Sequence, residues 1–136
     1  MSIMRNILTS WRALPLWVQV WVGLVLVPVN VAAFFMLDTE TGQYTAIAAL
    51  FVALTNGPLM IVYQGMNRVL SLPHLVAWGP LVYLLALRLA SETMATGEWI
   101  YAVLIVVVNG ISLVFDLLDS WRWLRGERET PGLSRG

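Results

Sequence analysis

The segment WIYAVLIVVVNGISLVFDLL, residues 99–118, decides the fold of this chain. Nearly all of its residues are apolar, and its only charged residue, Asp116, lies in the last turn. A helix rises about 1.5 Å per residue, so a segment of this length reaches about 30 Å, the thickness of the hydrocarbon core of a bilayer. The segment therefore predicts a transmembrane helix.

Three further apolar runs precede this segment, and each is long enough to cross a bilayer. They cover residues 16–37, 44–63 and 72–89, with short polar connections between them. The first run is too long for a signal peptide and no clear cleavage site follows it, so we expect it to be retained. The predicted fold is all-α: a polytopic membrane protein with a bundle of four transmembrane helices over residues 1–124. A polar cytoplasmic tail with no assigned fold is expected at residues 125–136.

The composition agrees with a membrane protein and excludes several functions. Of 136 residues, 59% are hydrophobic and 12% are charged, which lies outside the range of soluble globular proteins. The absence of cysteine excludes disulfides, thiolate metal sites and cysteine nucleophiles. The formal net charge is zero and the basic residues form no continuous patch, so we expect a lipid bilayer and no nucleic acid as partner.

The arginines predict the orientation of the chain. Every basic residue is arginine, which we interpret as the coding bias of a GC-rich bacterial genome, because lysine would serve most exposed sites equally well. Arg88 falls on one side of the predicted bundle, and seven arginines fall on the other: Arg5, Arg12, Arg68, Arg122, Arg125, Arg128 and Arg135. The positive-inside rule then places both termini in the cytoplasm, and the expected location is the bacterial inner membrane.

Each predicted span contains residues that weaken a helix. A proline cannot donate a hydrogen bond to the carbonyl four residues earlier, and this loss is costly where water is scarce. Nearby side chains are expected to satisfy the freed carbonyl groups. The interruptions are Pro28 in the first span, Gly57-Pro58 in the second, Gly79-Pro80 in the third and Asn109-Gly110 in the fourth.

Three asparagines, Asn30, Asn56 and Asn109, lie beside these interruptions at similar predicted depths, so we expect their amides to meet near the midplane. Two interpretations follow. The amides can hydrogen-bond across the bundle and hold the helices together. Alternatively, they form a polar path or a small-ligand site, as broken helices do in transporters.

A second group of polar residues is predicted at the cytoplasmic face: Asn67, Arg68, His74, Asp116 and Asp119. The two aspartates are three residues apart and share one face of a helix, where they could hold a divalent cation or relay protons with His74. In the alternative interpretation, Asp119 pairs with a nearby arginine and His74 caps the start of a helix. No cofactor or metal is assigned.

Three functions remain open at this stage. The favoured hypothesis is an oligomeric channel or transporter for a small solute or ion, because the amides and the broken helices fit a polar site in the membrane. The second is a non-catalytic subunit of a larger membrane complex. The third is an enzyme that acts on a lipid or another hydrophobic molecule, and no complete catalytic motif supports it.

Overall fold

The computed structural model describes residues 2–132, and every regular element in this range is helical. A 3₁₀ turn, Arg68–Leu70, leads into the fourth helix. The five helices are α1 (Ile3–Ala13), α2 (Leu16–Phe35), α3 (Glu40–Val62), α4 (Ser71–Ser91) and α5 (Thr96–Leu124).

Four of these helices, α2 to α5, are long and apolar enough to cross a membrane, which confirms the predicted fold class. Their bounds differ by a few residues from the apolar runs. The largest difference is at α5, which continues to Leu124 because hydrogen bonding along a helix does not stop where the apolar run ends. The division into a membrane domain and a tail stays a prediction.

The core of the bundle lies along α4 and α5. Leu85 of α4 and Ile105 of α5 are fully buried, and α2 contributes the fully buried Ala33. Large apolar side chains that point away from this core, such as Leu54 and Val114, are exposed. Such a surface suits hydrocarbon better than water, because exposed apolar area is favourable only where the solvent is itself apolar.

Contacts at the two ends of the bundle define its topology. At the end that we call the terminal face, α1 and residues 125–132 pack against the connection between α3 and α4. The backbone N–H of Met66 donates to Ser10 Oγ at 2.8 Å, and Asn67 Nδ2 donates to the carbonyl of Arg128 at 2.8 Å. The other end, the hairpin face, contains the connections at residues 36–39 and 92–95. Both ends of the described chain therefore lie at the same end of the bundle.

Helix α1 has two different faces. Asn6 and Ser10 are buried against the connection between α3 and α4, whereas Ile3, Met4 and Leu8 are exposed. A short helix with an exposed apolar face and polar ends is typical of a segment that lies in the headgroup layer. The hydropathy of the sequence predicted no such element.

Helix α2 departs from α-helical winding twice along its length. It begins as an α-helix, widens to a π-helix over Trp21–Leu26, and ends as a 3₁₀ helix over Ala32–Phe35. The backbone N–H of Val27 donates to the carbonyl of Val22, five residues earlier, just before Pro28 removes one donor. Pro58 and Pro80, in contrast, lie inside continuous α-helices.

The described part of the tail folds back onto the terminal face, whereas the sequence predicted no fold for it. The hydroxyl of Thr130 donates to the carbonyl of Tyr63 at 2.9 Å. The guanidinium of Arg128 stacks 4.0 Å from the ring centre of Trp123. Residues 133–136, which include Arg135, lie outside the described residues.

Candidate functional site

Two of the three predicted midplane asparagines meet, and they form what we call the amide pair. Asn30 Nδ2 donates to Asn109 Oδ1 at 2.8 Å, and Asn109 Nδ2 donates back to Asn30 Oδ1 at 3.0 Å. Asn30 Nδ2 also donates to the carbonyl of Leu26 at 2.9 Å. Asn30 is 5% exposed and Asn109 is fully buried. The hydrogen bonds above give every polar atom of the two amides a partner within the protein.

Two further hydrogen bonds join α2 to α5 on either side of the amide pair. The indole of Trp21 donates to Ser112 Oγ at 2.8 Å, and the hydroxyl of Tyr101 donates to the carbonyl of Val29 at 2.7 Å. The pair is thus one part of a polar seam between two spans. This geometry favours the interpretation in which these amides hold the helices together.

The outer members of this seam, Trp21, Ser112 and Tyr101, were not predicted from the sequence. Tyr101, Asn109 and Ser112 are buried together on one face of α5, and Asp116 continues that face toward the terminal end. Their spacing of three, four and eight residues is typical of one helical face. That periodicity was the signal that could have grouped them.

Asn56 does not join the amide pair, so the predicted meeting of three amides is wrong. Its Nδ2 atom lies 3.1 Å from His74 Nε2 instead. On the other side of the imidazole, His74 Nδ1 lies 3.3 Å from Asp116 Oδ1. The imidazole also stacks on the indole of Trp78, with 4.3 Å between the ring centres and 4° between the planes. These four residues are called the histidine cluster below.

Three helices position the histidine cluster near the terminal face. His74 and Trp78 are four residues apart on α4, so their rings lie one above the other on the same face. Asn56 comes from α3 and Asp116 from α5. Trp78 is 4% exposed, and the side chains of Asp116 and His74 are 11% and 18% exposed. Asn56 is also only partly buried, so Asn56 and the imidazole are the parts of the cluster that are open to their surroundings.

The histidine cluster leaves several hydrogen-bonding atoms without a partner among residues 2–132. Asn56 Oδ1, Trp78 Nε1 and Asp116 Oδ2 are all buried in this state. A buried polar atom without a partner costs about 1–3 kcal/mol, so such atoms are usually satisfied by water or a ligand. This property distinguishes the histidine cluster from the amide pair and makes it the candidate site.

The other residues predicted at this face have separate roles. Arg68 Nε lies 3.6 Å from Asp119 Oδ1, which confirms that Asp119 pairs with an arginine. Asn67 Oδ1 accepts from the backbone N–H of Val69 at 2.9 Å, so Asn67 caps the 3₁₀ turn and is not brought into the charged group. Within residues 2–132 no three histidine or acidic side chains are arranged to hold a metal ion. The arrangement gives no support to the predicted cation between Asp116 and Asp119.

A second charged group closes the hairpin face. Arg88 is largely buried and pairs at 2.8 Å with Glu92, which lies four residues further along the chain. It also pairs with Glu98 at 3.6 Å and with Glu40, and it lies 5.9 Å from the ring centre of Tyr44. One arginine thus ties α3, α4 and the start of α5 together. Each of its three carboxylate partners contacts the guanidinium, and only Arg88 Nε has no partner among the described residues. We assign this group a structural role because its ion pairs join three helices.

No family model, curated protein or solved structure matches this chain. The chemistry of the described residues is therefore what indicates a function.

Proposed function

We propose that this chain is the subunit of an oligomeric membrane channel or transporter for a small solute or ion. The histidine cluster, and not the midplane amide pair, is the polar site in this proposal. The proposed location is the bacterial inner membrane, with both termini in the cytoplasm and the histidine cluster in the cytoplasmic half of the bilayer.

The contrast between the two polar groups carries this proposal. Asn30 and Asn109 satisfy each other, and a side chain that is already paired has little to offer a solute. Asn56, Trp78 and Asp116 each retain a buried polar atom with no partner among the described residues. Ionisable groups are rare inside membrane bundles and usually mark a pathway for ions or solutes.

The packing of one chain supports an oligomer. Side chains such as Leu85 and Ile105 fill the centre of the bundle, so we place the path outside its axis. Asn56 and the imidazole of His74 are only partly buried, at a position between α3 and α4. A path past them runs along the side of the bundle, and a second copy of the chain would shield that path from lipid.

Transport by the purified protein in liposomes tests the proposal. We expect flux of a small ion or solute in the wild type and its reduction by about tenfold in His74→Leu, because one lost hydrogen bond to an ionic group is worth about 1.5 kcal/mol. Val107→Leu, a lipid-exposed substitution on α5, is the control and leaves the flux unchanged.

Native mass spectrometry of the same preparations separates the remaining hypotheses. A defined homo-oligomer is expected. A large hetero-complex without any flux would overturn the proposal in favour of an accessory subunit. Equal flux in His74→Leu and in the wild type would also overturn it, because the histidine cluster would then not be the site.

A further inference from the structure

We infer that the ion handled by the histidine cluster is the proton, which binds at His74 Nε2, and that the side-chain amide of Asn56 rotates when it binds. This inference rests on the proposed transport function and names its ion. The observation that carries it is the way in which the two ring nitrogens of His74 are paired.

The contacts of His74 determine which nitrogen carries hydrogen in the neutral ring. With the Asn56 amide oriented as it is here, Nδ2 contacts Nε2, and because Nδ2 is a donor only, this orientation pairs with an Nε2 atom that presents a lone pair. An ionised Asp116 carboxylate is an acceptor only, so the Nδ1 atom beside it must carry the hydrogen. The neutral imidazole therefore has one vacant position for a proton, at Nε2.

Protonation at Nε2 changes what the neighbouring amide must do. A proton from hydronium forms a new N–H bond at Nε2 and leaves water, and the ring becomes a cation. Two donors then face each other, Nε2–H and Asn56 Nδ2. Rotation of the amide by half a turn replaces Nδ2 with Oδ1, the acceptor atom that is buried without a partner in this structure. Release of the proton to water reverses both steps.

Two neighbours of the imidazole can contact a cation. The carboxylate of Asp116 lies 3.3 Å from Nδ1, and the indole face of Trp78 lies parallel to the ring at 4.3 Å, which suits a cation–π contact. Asp119, one turn further along α5, is paired with Arg68. The side chain that α3 contributes, Asn56, is uncharged. Asp116 is thus the counter-ion that protonation of His74 would use.

Calcium and magnesium fit this site less well than a proton. Calcium takes six to eight oxygen ligands and magnesium takes six ligands in a near-ideal octahedron. The cluster provides one carboxylate, one amide oxygen and one imidazole nitrogen, and among the described residues no further acidic or histidine side chain joins Asp116 and His74. A proton, in contrast, needs only one lone pair and one acceptor for the resulting N–H group.

The single histidine of the chain allows a direct test. We would label histidine with ¹⁵N, reconstitute the full-length protein in liposomes, and record the solid-state NMR signals of both ring nitrogens between about pH 8 and about pH 5. We expect a neutral ring with the hydrogen on Nδ1 at the upper end, and a ring with both nitrogens protonated at the lower end. A ring that stays neutral throughout would overturn the inference.

Substitutions of Asn56 test the role of the amide. Asn56→Asp provides a negatively charged acceptor that needs no rotation, so both its charge and its acceptor atoms should raise the imidazolium signal at about pH 6 by at least about twofold over the wild type. Asn56→Leu provides no acceptor and should give a smaller imidazolium signal. Thr55→Val is the control, because the Thr55 hydroxyl bonds only to carbonyls of its own helix. Native mass spectrometry verifies assembly, and equal signals in all assembled variants would overturn the rotation.

Flux measurements on the same liposomes separate this inference from the proposed function. Imidazolium formation, together with a proton flux that a pH-sensitive dye reports, supports both the proton site and the transport function. If the imidazolium forms and neither protons nor other solutes cross, the proton site holds and the transport function fails. If another solute crosses while the ring stays neutral, the transport function holds and the proton site fails.

Discussion

Asn109 has no exposed surface, and both polar atoms of its amide bind Asn30. Replacing one member of such a pair leaves the other buried without a partner, which costs more than the net value of the hydrogen bonds. Replacing both members with apolar residues of similar size removes that penalty. The stability of the pair is therefore expected to be strongly non-additive.

We expect Asn30→Leu and Asn109→Leu each to lower the free energy of unfolding by about 1–2 kcal/mol, because each strands one buried amide. The double variant should lose less than the sum of the two. Unfolding in detergent by heat or by titration with a denaturing detergent measures all three, with the lipid-exposed Val107→Leu as control. Additive losses would show that the two amides do not depend on each other.

At the scale of helices, the closest approach to a glycine among the described residues is at the hairpin face, where α3 begins beside the end of α2. A Cβ atom on Gly42 would lie 1.9 Å from the carbonyl oxygen of Met36. This neighbour is backbone and cannot move without shifting the connection itself. Gly57, further along the same helix, would have nothing within 4 Å of an added Cβ atom. The two glycines thus form a matched pair on one helix.

Gly42→Ala is expected to destabilise the protein by about 1–3 kcal/mol, as overpacked substitutions do when backbone must shift. Gly57→Ala should be close to neutral, because the helix preference of alanine over glycine, up to about 1 kcal/mol, is offset by Pro58, which disfavours a helical backbone for a preceding residue with a Cβ atom. The thermal midpoints of both variants in one detergent give the comparison. A smaller loss for Gly42→Ala than for Gly57→Ala would contradict the packing of α2 against α3.

The sequence predicted the four spans well and the local winding less well. Continuous apolar runs predict a span from length alone, so no knowledge of the neighbours is needed. Helix α1 escaped this criterion because its arginines and polar residues interrupt the apolar pattern. Prolines marked the points where α-helices could fail, but only Pro28 coincides with a change of winding. Packing around each proline decides this, and hydropathy does not describe packing.

For the whole molecule, the sequence identified the residues of the candidate site but not their grouping. Depth along each helix can be counted from residue numbers, and this count placed Asn56 close to Asn30 and Asn109. Residue numbers do not show how each helix is rotated about its own axis relative to its neighbours. In the structure, this rotation points Asn56 toward His74. His74 and Asp116 were expected together from depth alone, and they do meet. Trp78 was absent from the predicted site because an apolar run gives aromatic residues no distinct signal.

The two faces of the molecule carry opposite charge patterns, and this asymmetry predicts its orientation. Six described arginines lie toward the terminal face, where Arg125 and Arg128 stack on Trp121 and Trp123. At the hairpin face Arg88 is surrounded by acidic partners and adds little positive charge there. Retention of arginine-rich segments in the cytoplasm therefore favours both termini inside.

Reporter fusions measure this orientation. Green fluorescent protein fused at either terminus should fluoresce, and alkaline phosphatase at either terminus should be inactive, because the first needs the cytoplasm and the second an oxidising compartment. Phosphatase inserted after Met94, in the connection between α4 and α5, should be active. Termini on opposite sides would contradict the four-span bundle, because an even number of crossings returns the chain to its first side. Both termini outside would retain the bundle but move the histidine cluster to the outer half of the bilayer, so that protons would reach His74 from the other compartment.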